Sequence, residues 1–400
     1  MINMFRVSMT AVLGRWCSGM VAAASGSLLL TGVQGHVSAE PAVQSTTSAT
    51  IDNEGTVHAP PFEIPLSSYM SREAKLAFIK DQQKAADSAD QAVWRSGSLL
   101  DIRKLVDIQM TPRVERAKSV FAVNIVEQEI GGVRTRVITP KNGVAARNRD
   151  RVLIDLHGGC FFLGAEGGAL AESIPIAGTA KIKVVTVDYR EGPEYKFPAA
   201  SEDVAAVYKA LLEHYKPKSI GIYGCSAGGI LTAMAAAWFQ EKNLPTPGAL
   251  ALWSSGAFAN WDGNPQSVGS WGGDSAYMGP VLEGGTPLPV DSDPTLRVSR
   301  YQAYLSQADL RSPLVSPAES PAVLAKFPPT LLMTGTRGWD MSAAVETHRR
   351  LVKAGVEADL HLWDGVGHCF FSDVDLPESK EAYEVTSRFF DRHLASPRSR

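Results

Sequence analysis

The chain's architecture turns on Ile220-Gly221-Ile222-Tyr223-Gly224-Cys225-Ser226-Ala227-Gly228-Gly229. Ile220–Tyr223 is a short apolar run of the kind that forms a buried strand. Ala227–Gln240 is dominated by Ala and reads as a helix. Between them, Gly224-Cys225-Ser226-Ala227-Gly228 fits the pattern G-x-S-x-G, a sharp strand-to-helix turn that lifts a serine hydroxyl onto a helix N-terminus. The turn needs glycine because its backbone is strained and closely packed. Backbone N–H groups at a helix N-terminus point at developing negative charge. A chance Gly/Ser turn is the alternative, but the strand before and the helix after favour a reactive Ser226.

The pattern extends in both directions. Val152–Leu156, Ile182–Val187, Ala249–Trp253, Thr330–Thr334 and Ala358–Trp363 read as strands. Val204–His214, Met341–Ala354 and Glu381–Leu394 read as helices between or after them. Such alternation predicts an α/β fold with a mostly parallel central sheet and helices on both faces. Ahead of it, Val120–Ile130 and Val133–Ile138 flank Gly131-Gly132, a hairpin signal. Ligands of such sheets bind beyond the carboxyl ends of the strands. From Ser254 to Leu310 the alternation stops and Trp, Gly, Ser, Asp and Pro accumulate, too long a stretch for a plain connection. With the helical sequence from Ser71 to about Gln109, it is expected to form a cap. The catalytic domain is expected to span 66–400, with the cap drawn from about 66–115 and 255–310. Residues 40–65 are rich in Ser, Thr, Pro, Ala and Asn and read as a flexible linker. The sequence contains no internal repeat.

Three further groups carry chemistry. His157-Gly158-Gly159-Cys160 follows the strand Val152–Leu156. A glycine loop there lets backbone N–H groups approach a substrate closely and, with the residue after the nucleophile, form an oxyanion hole. His157 itself reads as a residue that fixes the loop, supported by Gly158. His368, in Gly365-Val366-Gly367-His368-Cys369, is the best general base: it follows the last strand and gives the order serine, acid, histidine. The base needs a buried carboxylate. In the loop after Thr330–Thr334 the one acid is Asp340. Its alternative role is to cap the helix beginning near Met341. Glu346, Glu357, Asp359 and Asp364 fall in or beside the neighbouring helix and strand and read as solvated.

Together the blocks resemble the bacterial hormone-sensitive-lipase family of esterases. The resemblance rests on the His-Gly-Gly block at 157, on Asp188-Tyr189-Arg190 through Pro193-Glu194 to Phe197-Pro198-Ala199-Ala200, on Ser226-Ala227-Gly228-Gly229, and more weakly on Gly335-Thr336-Arg337 through Gly355-Val356 to His368. It covers roughly Val120 to Leu394. It implies an α/β-hydrolase fold with a helical cap and hydrolysis of carboxylic esters of short to medium acyl length through an acyl-enzyme intermediate. It also implies no metal and no organic cofactor. By the same resemblance Gly159, Cys160 and Ala227 supply the oxyanion-hole amides, and Asp188-Tyr189-Arg190 braces the active-site loops. The chain departs from the family in three places. Cys160 replaces a third glycine, where its side chain is expected to narrow the acyl pocket. Cys225 replaces the usual acid before the nucleophile. The usual position of the triad acid holds Gly338, two residues before Asp340.

Cys160, Cys225 and Cys369 all lie beside catalytic motifs. Small buried side chains are the plain reading; a thiol pair or oxidation switch is the sharper one. The first 39 residues hold Arg6 and Arg15, no acid, a weakly apolar stretch from Val21 to Val33, and Val37-Ser38-Ala39. This is the layout of a secretory signal peptide, with an uncleaved anchor as the alternative. A periplasmic or secreted location follows, with no stable membrane span after cleavage. The net charge of −3 offers no basic excess for a nucleic acid, so the expected partner is a small ester. A lactonase or amidase on the same residues is the closest rival. A peptidase on this fold usually carries a propeller-like domain, for which the chain has no room. A non-enzymatic binding protein is a weaker rival, because Ser226 and His368 are both present.

Overall fold

The computed structural model describes residues 48–85, 97–259 and 304–395, with Asp90 and Val93 between the first two spans. The leader, residues 1–39, and most of the expected second cap segment therefore lie outside the described residues. Ten strands are described: β1 Thr50–Ile51, β2 Val57–His58, β3 Val123–Ile130, β4 Val133–Pro140, β5 Val152–Leu156, β6 Lys183–Val187, β7 Ile220–Cys225, β8 Ala249–Trp253, β9 Thr330–Gly335 and β10 Ala358–Trp363. The α-helices are α1 Arg72–Ala85, α2 Leu99–Val120, α3 Gly167–Ala180, α4 Ala199–Leu212, α5 Ala227–Glu241, α6 Pro321–Leu324, α7 Met341–Lys353 and α8 Pro377–His393.

Eight strands form one sheet in the order β10-β9-β8-β7-β5-β6-β4-β3. The pairs from β10 to β6 are parallel, and β4 joins β6 and β3 antiparallel. The β3–β4 hairpin turns on Gly131 and Gly132, both at positive φ, as a tight two-residue hairpin needs. β5, β7, β8 and β9 are buried at every position. Alternating side chains point to opposite faces, so both faces of the sheet centre are covered. The order of the parallel strands brings the carboxyl ends of β5, β7, β8, β9 and β10 side by side: Leu156 lies opposite Gly224, Cys225 opposite Trp253, and Trp363 opposite Gly335. The loops holding His157, Ser226, Asp340 and His368 all leave from that edge.

The linker and cap boundaries are among those that differ from the sequence expectation. Within 40–65, read as a linker, Thr50–Ile51 pairs with Val57–His58, and Asp52 accepts N–H bonds from Glu54 and Thr56 to close the turn. At its end the Pro65 carbonyl accepts from Arg337 at 2.6 Å, which ties this segment to the β9 loop. The cap boundary near 255 also moves. Ala257, Phe258 and Ala259 are fully buried in the body, where Ala257 N–H donates to the Thr347 hydroxyl on α7.

Candidate active site

β7 ends at Cys225 and α5 begins at Ala227, so Ser226 alone makes the turn. Its φ of 56° and ψ of −123° lie outside the regions L-residues favour. The conformation is held by the Ser226 N–H, which donates to the Trp253 carbonyl of β8 at 2.9 Å. A Cβ at Gly228 would sit 1.7 Å from the Leu156 carbonyl oxygen, so α5 can come this close to β5 only with glycine there. Ala227 is the first residue of α5, and its N–H has no carbonyl one helical turn back to bond.

The loop after β5 lies directly against this turn. Gly159 has φ 124°, and a Cβ there would meet the Leu163 carbonyl oxygen at 1.8 Å, so only glycine fits. Cys160 and Phe161 follow at positive φ. His157 is fully buried, donates from Nδ1 to the Gly158 carbonyl at 2.8 Å and stacks on Tyr189 with centroids 4.3 Å apart. Burial pushes its imidazole down to about 4, so it is neutral at pH 7. The Tyr189 hydroxyl donates to the His157 carbonyl at 2.7 Å. His157 thus contacts the glycine loop through its ring and the Asp188-Tyr189-Arg190 block through its ring and carbonyl. Cys160 is buried in the core.

One residue that sequence reasoning missed joins the two loops. Glu172, on α3, accepts the Gly158 N–H at 2.9 Å through Oε1 and the Cys225 N–H at 3.1 Å through Oε2. It therefore clamps the glycine loop to the serine turn. Burial pushes the Glu172 carboxyl up to about 8, against the pull of its two N–H donors. Asp155 is buried nearby, and burial with the Glu172 charge raises it as well. A carboxyl raised in this way keeps its proton in the folded state after the unfolded chain has lost it. From the ordinary glutamate value of 4.5 up to about 8, the folded protein binds more protons than the unfolded one. Its stability therefore falls as pH rises through that window. Glu172→Gln is expected to flatten the decline in Tm across this range. Buried Glu191, also pushed up to about 8, keeps part of the slope. An unchanged slope would mean that Glu172 ionises normally.

His368 leaves the loop after β10. Its Nδ1 lies 2.6 Å from Asp340 Oδ1, and both side chains are nearly inaccessible, at 5% and 1%. The second Asp340 oxygen accepts from the Thr334 hydroxyl. Asp340 precedes α7, but its side chain makes no capping bond. The cap reading is therefore replaced by contact with His368. A Cβ at Gly338 would sit 2.8 Å from Asp340 Oδ1 and 3.0 Å from Thr334 Oγ1. Glycine at 338 thus leaves open the space that the Asp340 carboxylate fills from two residues further on. The rival acids bond elsewhere: Asp364 to Ser67 and Thr336, Glu346 to Arg349 and Arg350, Asp359 to Arg392. Trp339 packs on the His368 ring with centroids 4.4 Å apart. The His368 loop is pinned to the Asp340 loop by Arg337 N–H to Val366 carbonyl and Gly365 N–H to the Thr336 hydroxyl.

Cys225 and Cys369 form a disulfide, so the plain reading of these two as small buried thiols is replaced by the thiol-pair reading. Ser226, Gly158, Gly159, Trp339 and His368 all line one cleft of 910 Å³. Met70, Ala74, Ala77 and Phe78, on or just ahead of α1, and Met110 of α2 give it apolar walls. Among the described residues no helix is long and apolar enough to cross a membrane.

The family model for the α/β-hydrolase fold matches residues 153–372. The acetyl-hydrolase of Streptomyces hygroscopicus is 28% identical over 246 residues, covering 61% of this chain and 76% of that one. An esterase of Acinetobacter venetianus is 25% identical over 259 residues, again covering 61% and 76%. Among solved structures, esterase E25 matches with a TM-score of 0.69 at 28% identity, over 84% of this chain and 99% of its own. An esterase from the bacterial hormone-sensitive lipase family matches at 0.65 and 26% identity, over 81% and 99%. The chain therefore belongs to the α/β-hydrolase fold family, within its bacterial hormone-sensitive-lipase-like branch of esterases.

Proposed function

We propose that Ser226, His368 and Asp340 carry the ester hydrolysis of this branch as nucleophile, base and orienting acid. The protein is a carboxylic ester hydrolase. The observation that carries the residue roles is the buried His368–Asp340 pair at 2.6 Å, opening on the same cleft as the strained Ser226. His368 takes the Ser226 proton as the hydroxyl attacks the ester carbonyl. The N–H groups of Gly159, Cys160 and Ala227 stabilise the oxyanion. Asp340 holds the imidazole tautomer and balances the imidazolium charge. His368 then protonates the leaving alcohol, and water repeats the sequence on the acyl-enzyme. The apolar walls suit the acyl chain of a small ester. An acyl-length series of p-nitrophenyl esters tests this: short to medium chains should turn over fastest. Failure to turn over any of them, with opening of lactones alone, would move the assignment to the lactonase reading.

The same reading places the protein in the periplasm or outside the cell, with cleavage after Ala39. Two features support it: the Arg-containing apolar leader, and a disulfide, which persists in oxidising compartments. Two of the 39 basic residues fall in the leader, so the mature chain would carry 37 against 42 acidic, a net of −5. Intact-mass measurement on exported protein is expected to show a form beginning at Glu40. A form retaining Met1 in the membrane fraction would favour the anchor instead.

A further inference from the structure

Cys225 immediately precedes the nucleophile and Cys369 immediately follows the base. Their disulfide spans 144 residues of sequence and joins two loops that leave different strands. The two Sγ atoms and a ring nitrogen of His368 lie within 4.8 Å of one another, so the sulfurs sit against the base itself. Each loop also has its own anchor. Cys225 N–H bonds Glu172, Ser226 N–H bonds Trp253, and Cys369 N–H donates to the Ser254 hydroxyl at 3.0 Å. Those bonds hold each loop to the body, whereas the disulfide ties one loop to the other. Cys369 stands at φ 51°, where the chain turns sharply after the base.

We propose that the Cys225–Cys369 disulfide is a positioning element of the reaction: it fixes His368 relative to Ser226. This rests on the roles given above to Ser226 and His368. Proton transfer from the serine hydroxyl requires the imidazole within hydrogen-bond reach and correctly turned, and small misplacements are costly. A bond between the residues flanking donor and acceptor restricts both displacements. A disulfide that only constrained the unfolded chain would raise Tm and leave kcat unchanged below it.

The test uses the full-length protein as purified, treated with a water-soluble phosphine and a chelator. The phosphine gives two electrons to the S–S bond. Water supplies the oxygen of the phosphine oxide and the two protons of the thiols. The chelator prevents two new thiolates and His368 from capturing a soft metal. Peptide mass mapping follows the Cys225–Cys369 bond. The Cys225→Ala/Cys369→Ala double variant, which keeps Cys160, is assayed in parallel, well below the Tm of each form. We expect kcat for p-nitrophenyl acetate to fall about ten- to a hundredfold while KM stays within about threefold. Labelling of Ser226 by a fluorophosphonate should slow in proportion, and reoxidation should restore both. Folded reduced protein and double variant with kcat within about twofold of the oxidised enzyme would overturn the proposal and leave a stability staple. A change in KM alone would also overturn it, making the sulfurs a wall of the substrate pocket. If the oxidised protein is labelled elsewhere than Ser226, the nucleophile assignment fails first and this proposal with it.

Discussion

Ser226→Ala is expected to lower kcat/KM for an aryl ester by a factor of about 10⁵–10⁶, because nucleophile and base act as a unit. Only one oxygen is removed. The serine turn is held by its backbone, through Ser226 N–H to the Trp253 carbonyl and Ile230 N–H to the Ser226 carbonyl, and neither bond involves the hydroxyl. The variant should therefore keep its Tm and its circular dichroism. Residual turnover cannot be assigned to a Cys225 thiolate, since that sulfur is bonded to Cys369. Turnover near that of the unaltered protein would place the nucleophile elsewhere.

Asp340→Asn carries the second large effect, a fall in kcat of about 10³–10⁴. Asparagine has the shape to bond both the imidazole and the Thr334 hydroxyl. It lacks the charge that balances the imidazolium, and its amide can favour the wrong imidazole tautomer. KM should change little, because Asp340 lies behind the base and is not among the described residues that line the cleft. A loss below about tenfold is what a helix cap alone would give, and would mean a dyad or an acid from elsewhere.

The parts of the site legible in the sequence are those that local chemistry dictates. The serine turn announces itself because strand, glycines and helix must all be present for its backbone to close. Asp340 was legible through topology: the loop after β9 holds one acid, and Gly338 at the family position is the space its carboxylate uses. Glu172 was not legible, because its helix was not. α3 begins with Gly167-Gly168 and carries Pro175 and Gly178, all poor helix formers. It exists because ten of its fourteen residues are buried, so tertiary packing overrides propensity. Helix α2 shows the same override, running through Pro112 to Val120 where the composition suggested an end near Gln109. The disulfide has no spacing signature. The four cysteines of the chain allow several pairings, and only the parallel strand order brings 225 to 369.

The central claim is a covalent acyl-enzyme on Ser226. Mixing the protein with excess p-nitrophenyl acetate, quenching in acid within the first turnovers and mapping the peptides by mass tests it directly. The expected result is a burst of p-nitrophenol close to one equivalent, with a single acetyl group on the peptide spanning the serine turn, at Ser226, and none in Ser226→Ala. Steady turnover with no acetylated peptide, or an acetyl group on another side chain that survives Ser226→Ala, would contradict it.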